Sequence, residues 1–143
     1  HYEISNFGKA GFYSKHNTSY WKNKHYLGVG PSAHSFNGNS RSWNVSSNKQ
    51  YIQKIKKGED YFETEKLSIS QQYNEYVFTS LRTIWGANLE IIKERFGKQI
   101  HFLKEIKKWE RKKNIKKCKN TYTLTKSGKI FADAIASDLF IVD

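Results

Sequence analysis

Residues 12–36 read FYSKHNTSYWKNKHYLGVGPSAHSF, and the side chains in them could do chemistry. His16, His25 and His34 recur at intervals of nine residues among the rings of Phe12, Tyr13, Tyr20, Trp21 and Tyr26. Neutral imidazole is a metal donor and a proton carrier, and a phenol can ligate iron. Zinc sites gather Cys and His at shorter spacings, and the single cysteine, Cys118, lies far along the chain, so a structural zinc site is disfavoured. Axial ligation of a haem iron requires no fixed sequence spacing, and aromatic and basic side chains suit a flat, anionic tetrapyrrole. The plainer reading of His16 and Tyr20, four residues apart, is a helical turn or tight loop in which they brace each other.

Gly28-Val29-Gly30-Pro31 lacks the third glycine and following helix of a dinucleotide fingerprint, since Ala33 stands at the third glycine position. A tight turn, or a glycine-lined strand end that presents bare backbone to a ligand, both remain open. No G-x-S-x-G elbow occurs, and Glu3 is the one acid in residues 1–45, so a carboxylate pair cannot form there. One cysteine excludes an internal disulfide and a self-contained iron–sulfur cluster, which takes about four thiolates.

The elements that must position these residues divide the chain in two. Residues 1–45 hold nine of the 22 aromatic residues and four of the five histidines, with poor periodicity. HYEISNF and Tyr26–Gly30 are predicted as short strands flanking a long, loop-like, aromatic-rich excursion. From residue 46 the pattern is helical. Ser47 caps a helix to Lys57 that Gly58 closes, and Ser70 opens the next, with Tyr73, Tyr76, Val77, Leu81 and Ile84 on one face and an end near Gly86. Asn88 caps a short helix with Leu89, Ile92 and Phe96, stopped by Gly97. Over 99–113, Phe102, Leu103, Ile106 and Trp109 share one side of a helix, and Lys104, Lys107, Lys108 and Arg111 the other. Ile115–Cys118 and Thr121–Leu124 form a hairpin across Lys119-Asn120, and Thr125 caps a last helix with Ile130, Phe131, Ala134, Ile135 and Leu139 inward. This order predicts a winged-helix-like module over 68–143, with 46–67 as a linking helix and loop.

The 143 residues suffice for one compact domain or a small domain with an attached segment, and no window approaches a membrane span. The chain starts at His1 and contains no Met, which suggests a piece of a longer protein. The net charge of +12 is concentrated in residues 98–119, where ten Lys/Arg meet only Glu105 and Glu110. Such a patch attracts nucleic acid, an anionic membrane or an acidic partner. Its lysine dominance argues against reading bases, which favours Arg, Asn and Gln.

The ordered segments HYEISNF, SKHNTSYW, YLGVGPSAHS and RSWN resemble the C-terminal portion of the oxygen-independent coproporphyrinogen III oxidase family of radical S-adenosylmethionine proteins. YNEYVFTSLRTIWG, LEIIKERFG and LTKSGKIFAD resemble that family's C-terminal helical domain. The resemblance implies an α+β chain in which residues 1–45 are the end of a TIM-like radical-SAM barrel, followed by a mainly helical, winged-helix-like domain. His16-Asn17-Thr18-Ser19-Tyr20 resembles the H-N-x-x-Y motif of the haem-chaperone branch, implying a haem or porphyrin contact by His16, Asn17 and Tyr20. The SAH segment implies that Ala33 and His34 lie where the backbone approaches S-adenosylmethionine. The C-x-x-x-C-x-x-C motif for the [4Fe–4S] cluster is absent, so cluster and radical chemistry would belong to the full-length parent and this stretch alone would be inactive. The resemblance further implies a cytoplasmic protein that hands haem to a recipient. A decarboxylating coproporphyrinogen III dehydrogenase and a winged-helix nucleic-acid module are the competing readings.

Overall fold

A computed structural model describes residues 1–142. It contains two compact units, one made of residues 1–22 together with the chain from Ile69 onward, the other of Asn23–Ser68.

In the first unit, α1 (Lys15–Trp21) begins where the Ser14 hydroxyl accepts the Asn17 N–H. After it come α3 (Ile69–Leu81), β4 (Ala87–Asn88), α4 (Leu89–Ile91) running into a π-helical turn (Ile92–Phe96), α5 (Gln99–Arg111), β5 (Ile115–Cys118), β6 (Thr121–Leu124), a 3₁₀ turn (Gly128–Phe131) and α6 (Ala132–Leu139). The three strands form an antiparallel sheet in the order β4-β6-β5. Three-and-four spacing aims Tyr73, Val77 and Leu81 of α3 and Phe102, Ile106 and Trp109 of α5 into one core with Tyr122, Ile135 and Leu139. The Asn88 carboxamide caps α4, accepting from Glu90 N–H at 2.8 Å, while the Asn88 N–H donates to the Tyr76 hydroxyl at 2.9 Å. Burial pushes the Tyr76 phenol up.

HYEISNF is not a strand. It makes one bridge, Glu3 opposite Thr83, reinforced by Ile84 N–H donating to the Tyr2 carbonyl at 3.0 Å. The last helix also differs from its predicted form. Thr125 does accept the Gly128 N–H at 3.1 Å, but a 3₁₀ turn follows before the α-helix starts. With 3.0 residues per turn instead of 3.6, the register rotates. Ile130, Phe131 and Ala134 therefore point outward, and Ile135, Ala136 and Leu139 are buried.

In the second unit, β1 (His34–Phe36), β2 (Ser40–Asn44) and β3 (Phe62–Lys66) form an antiparallel sheet in that order. The helix α2 (Asn48–Lys57) starts at a Ser47 cap and closes at Gly58. The stretch predicted as a helix and loop over 46–67 thus contributes a strand that pairs with β2, joining residues on both sides of position 45. Tyr26–Gly30 makes a single bridge, Tyr26 to Phe36, and its Leu27 and Val29 side chains are exposed.

Candidate functional site

The H-N-T-S-Y motif lies within α1. One helical turn brings His16 and Tyr20 edge to face, with ring centroids 4.9 Å apart. Both side chains are exposed, so an imidazole and a phenol stand together on an open helix face. Asn17 is half-buried, and its backbone N–H is taken by the Ser14 cap. The Ser19 hydroxyl donates to the Lys15 carbonyl at 2.9 Å, fastening the same turn. Elsewhere in this unit an aromatic cluster is built from Tyr2 stacked on Tyr13 at 4.8 Å and Trp85 edge-on to Tyr13 at 6.3 Å, with the Lys22 ammonium 4.5 Å above Trp85. Trp85 carries no local signal for this cluster, because its ring partners Tyr2 and Tyr13 lie far away in sequence.

Ala33 and His34 belong to the other unit. Here the Gly28–Gly30 backbone is held by side chains from three elements. Gly28 N–H donates to the Ser35 hydroxyl at 2.9 Å, Gly30 N–H to the Tyr51 hydroxyl at 3.2 Å, and the buried Asn44 amide donates to the Gly30 carbonyl at 2.8 Å. A Cβ at Gly28 would stand 2.2 Å from the His34 carbonyl oxygen, so only glycine lets these two backbones approach this closely. Ala33 donates its N–H to Gly30 at 3.3 Å and accepts the Asn44 N–H at 3.0 Å. His34 is exposed, opposite Trp43, which is itself opposite Glu63. Directly opposed residues share a face of the sheet. His34, Trp43 and Glu63 line a concavity of about 380 Å³ together with Ser32, Asn44 and Gln50. Trp43 and Asn44 fall in the RSWN motif, whereas Tyr51 and Glu63 carried no sequence signal because their roles depend on distant pairing.

The donors for a [4Fe–4S] cluster do not fit. Cys118 is the one cysteine, and among the described residues no group of three or more His, Cys, Asp or Glu could hold a metal ion. His16 and Tyr20 are exposed nitrogen and oxygen donors of the kinds that iron accepts. The concavity beside His34 is lined mostly by polar side chains, whereas the Gly28 and Gly30 backbone groups beside it are already taken by Ser35, Tyr51 and Asn44. Among the described residues no helix is long and apolar enough to cross a membrane.

Comparison with known proteins agrees with the family resemblance. The chain is 36% identical over 137 residues to "Heme chaperone HemW" of Bacillus subtilis (strain 168), covering 94% of this chain and 36% of that protein. It is 38% identical over 96 residues to "Heme chaperone HemW" of Lactococcus lactis, covering 67% of this chain and 25% of that one. "Radical S-adenosyl methionine domain-containing protein 1, mitochondrial" of Bos taurus is 58% identical over 33 residues, 23% of this chain and 8% of that protein. A solved structure described as "Coproporphyrinogen III oxidase (HemN) from Escherichia coli is a Radical SAM enzyme" matches with a TM-score of 0.64 at 18% identity, over 82% of this chain and 28% of that one. No protein-family model matches the chain. The fold is a mixed α/β one, shared with that coproporphyrinogen III oxidase structure. The chain belongs to the family of the HemW proteins, and spans about a third of the length of its Bacillus relative.

Proposed function

We propose that this chain is the haem-facing and accessory part of a radical S-adenosylmethionine protein that binds haem and delivers it to a recipient protein. The observation that carries the reading is the H-N-T-S-Y turn, which presents His16 and Tyr20 together and open to solvent in a chain whose relatives are named haem chaperones. His16 would offer an imidazole nitrogen to iron. Tyr20 would supply its phenol to iron or to a propionate, and half-buried Asn17 would fix the turn.

On the same reading, residues 1–45 derive from the end of the barrel, and Ala33 and His34 face S-adenosylmethionine. That cofactor and the [4Fe–4S] cluster would supply one-electron chemistry in the parent, with the cluster ligands outside this chain. The order helix, strand, helix, helix, hairpin from α3 to β6 supports a winged-helix-like assignment for residues 68–143. The relatives' names favour a chaperone over a decarboxylating dehydrogenase.

Haem titration of the full-length protein, followed by Soret absorbance, tests the site. His16→Ala is expected to weaken binding about tenfold or more and to change the spectrum, the scale of losing one metal-ligand contact or its immediate support. Tyr20→Phe is expected to have a smaller effect. Unchanged affinity and spectrum in both variants would reject His16 and Tyr20 as the haem site. Binding to a duplex that weakens steeply with salt, and haem binding in none of the proteins, would instead favour the nucleic-acid reading.

A further inference from the structure

The strongest feature outside that site is a buried carboxylate. Glu3 is 1% exposed, and neither of its carboxylate oxygens has a hydrogen-bond partner. A buried carboxylate is costly unless it is paired and hydrogen-bonded. Glu3 cannot easily swing away, because its backbone lies opposite Thr83 and the neighbouring Tyr2 carbonyl accepts the Ile84 N–H at 3.0 Å. It lines a cavity of about 200 Å³ within the unit formed by residues 1–22 and 69 onward.

The rest of that lining is of two kinds. Leu81, Ile84 and Leu124 give it an apolar wall, while Lys116 and Lys129 bring two ammonium groups that form no ion pair among the described residues. Arg82 also borders the cavity, but its guanidinium is paired with Asp133. A bare cation would satisfy Glu3 while meeting two lysines. A bare anion would satisfy the lysines while leaving Glu3 unpaired. A ligand carrying both charges on a short scaffold answers both, and the apolar wall then takes its side chain. The volume holds several waters at about 30 Å³ each, which is also room for one small organic molecule.

We infer that this cavity binds a small aliphatic α-amino acid, its ammonium on Glu3, its carboxylate on Lys116 and Lys129, and its side chain against Leu81, Ile84 and Leu124. The site is independent of the haem reading.

Calorimetric titration of the full-length protein with L-valine, isobutylamine and isobutyrate tests it. Valine should bind, and each single-charge analogue about tenfold or more weakly, the factor expected for losing one charge-assisted hydrogen-bonded contact. Glu3→Gln, matched in shape, should weaken valine by about the same factor. The double variant Lys116→Ala/Lys129→Ala changes exposed and half-buried side chains, and it decides the matter if Glu3→Gln fails to fold. No valine binding, equal binding of the amine or the acid, or unchanged affinity in the double variant would overturn the inference.

Discussion

The two units reach order by different means. In the unit of residues 1–22 and 69 onward, α3, α5, α6 and the hairpin close on a shared apolar core in which Tyr73, Phe102, Ile106 and Ile135 are fully buried. In Asn23–Ser68, Phe36 and Leu67 are the buried hydrophobic residues, and much of the order comes from strand ladders and from side chains pinning the Gly28–Gly30 backbone. Packing tolerates many sequences of the right pattern, because burial is non-directional and scales with apolar area. A hydrogen-bonded loop depends on particular atoms in particular places.

The largest effect expected from this contrast is in the packed unit. Phe102→Ala removes a ring set edge-on to Tyr122 at 5.1 Å and should cost about 3–5 kcal/mol in urea unfolding. Phe36→Ala should cost distinctly less, and an equal cost would erase the contrast. Gly28→Ala drives a methyl group into the His34 carbonyl and should cost about 1–3 kcal/mol. Its signature in amide exchange should be confined to residues near 26–36, with the α5 amides unmoved. Tyr73→Phe tests the core from the opposite direction. Burial pushes the Tyr73 phenol up and its hydroxyl has no partner, so deletion should be neutral or stabilising by up to about 1 kcal/mol. The smallest effect concerns Asp138, which accepts the Trp109 indole N–H at 2.8 Å and pairs with Lys108. The Lys108 ammonium holds its carboxyl below the usual carboxylate range. That contribution is present above the ordinary value of about 3.9 and is lost as pH falls through the lowered one. Because the pair is partly exposed, Asp138→Asn should cost only a few tenths of a kcal/mol at neutral pH and flatten the acid side of the stability curve.

The same contrast governs what was legible in the sequence. The α2, α4 and α5 helices and the β5–β6 hairpin follow from caps, turn residues and apolar spacing that act within a few positions. The strand β3 was not legible because all five residues of FETEK are exposed, so no alternation marks them, and the pairing with β2 is long-range. One helical period carried through the last segment turns Ile130 and Phe131 inward, but the segment starts as a 3₁₀ turn that breaks that period. At the candidate site, the excursion read as loop-like contains α1, and the four-residue spacing of His16 and Tyr20, compatible with a helical turn or a tight loop, falls on one turn of that helix. The Ser35, Asn44 and Tyr51 contacts to Gly28 and Gly30 leave no local trace, because each joins residues 7 to 21 positions apart.

The exposed face of FETEK also affects how copies of the chain meet. β3 is an outer strand of its sheet, and outer strands carry unpaired backbone groups that another molecule's strand can extend. Here Glu63 and Glu65 lie exposed on that rim, with Glu59 and Asp60 just before it in a chain otherwise rich in lysine. Two such rims brought side by side would crowd like charges together before any ladder could form. The acidic run therefore guards the sheet against growing from one molecule into the next, and neutralising it should make the protein more prone to aggregate.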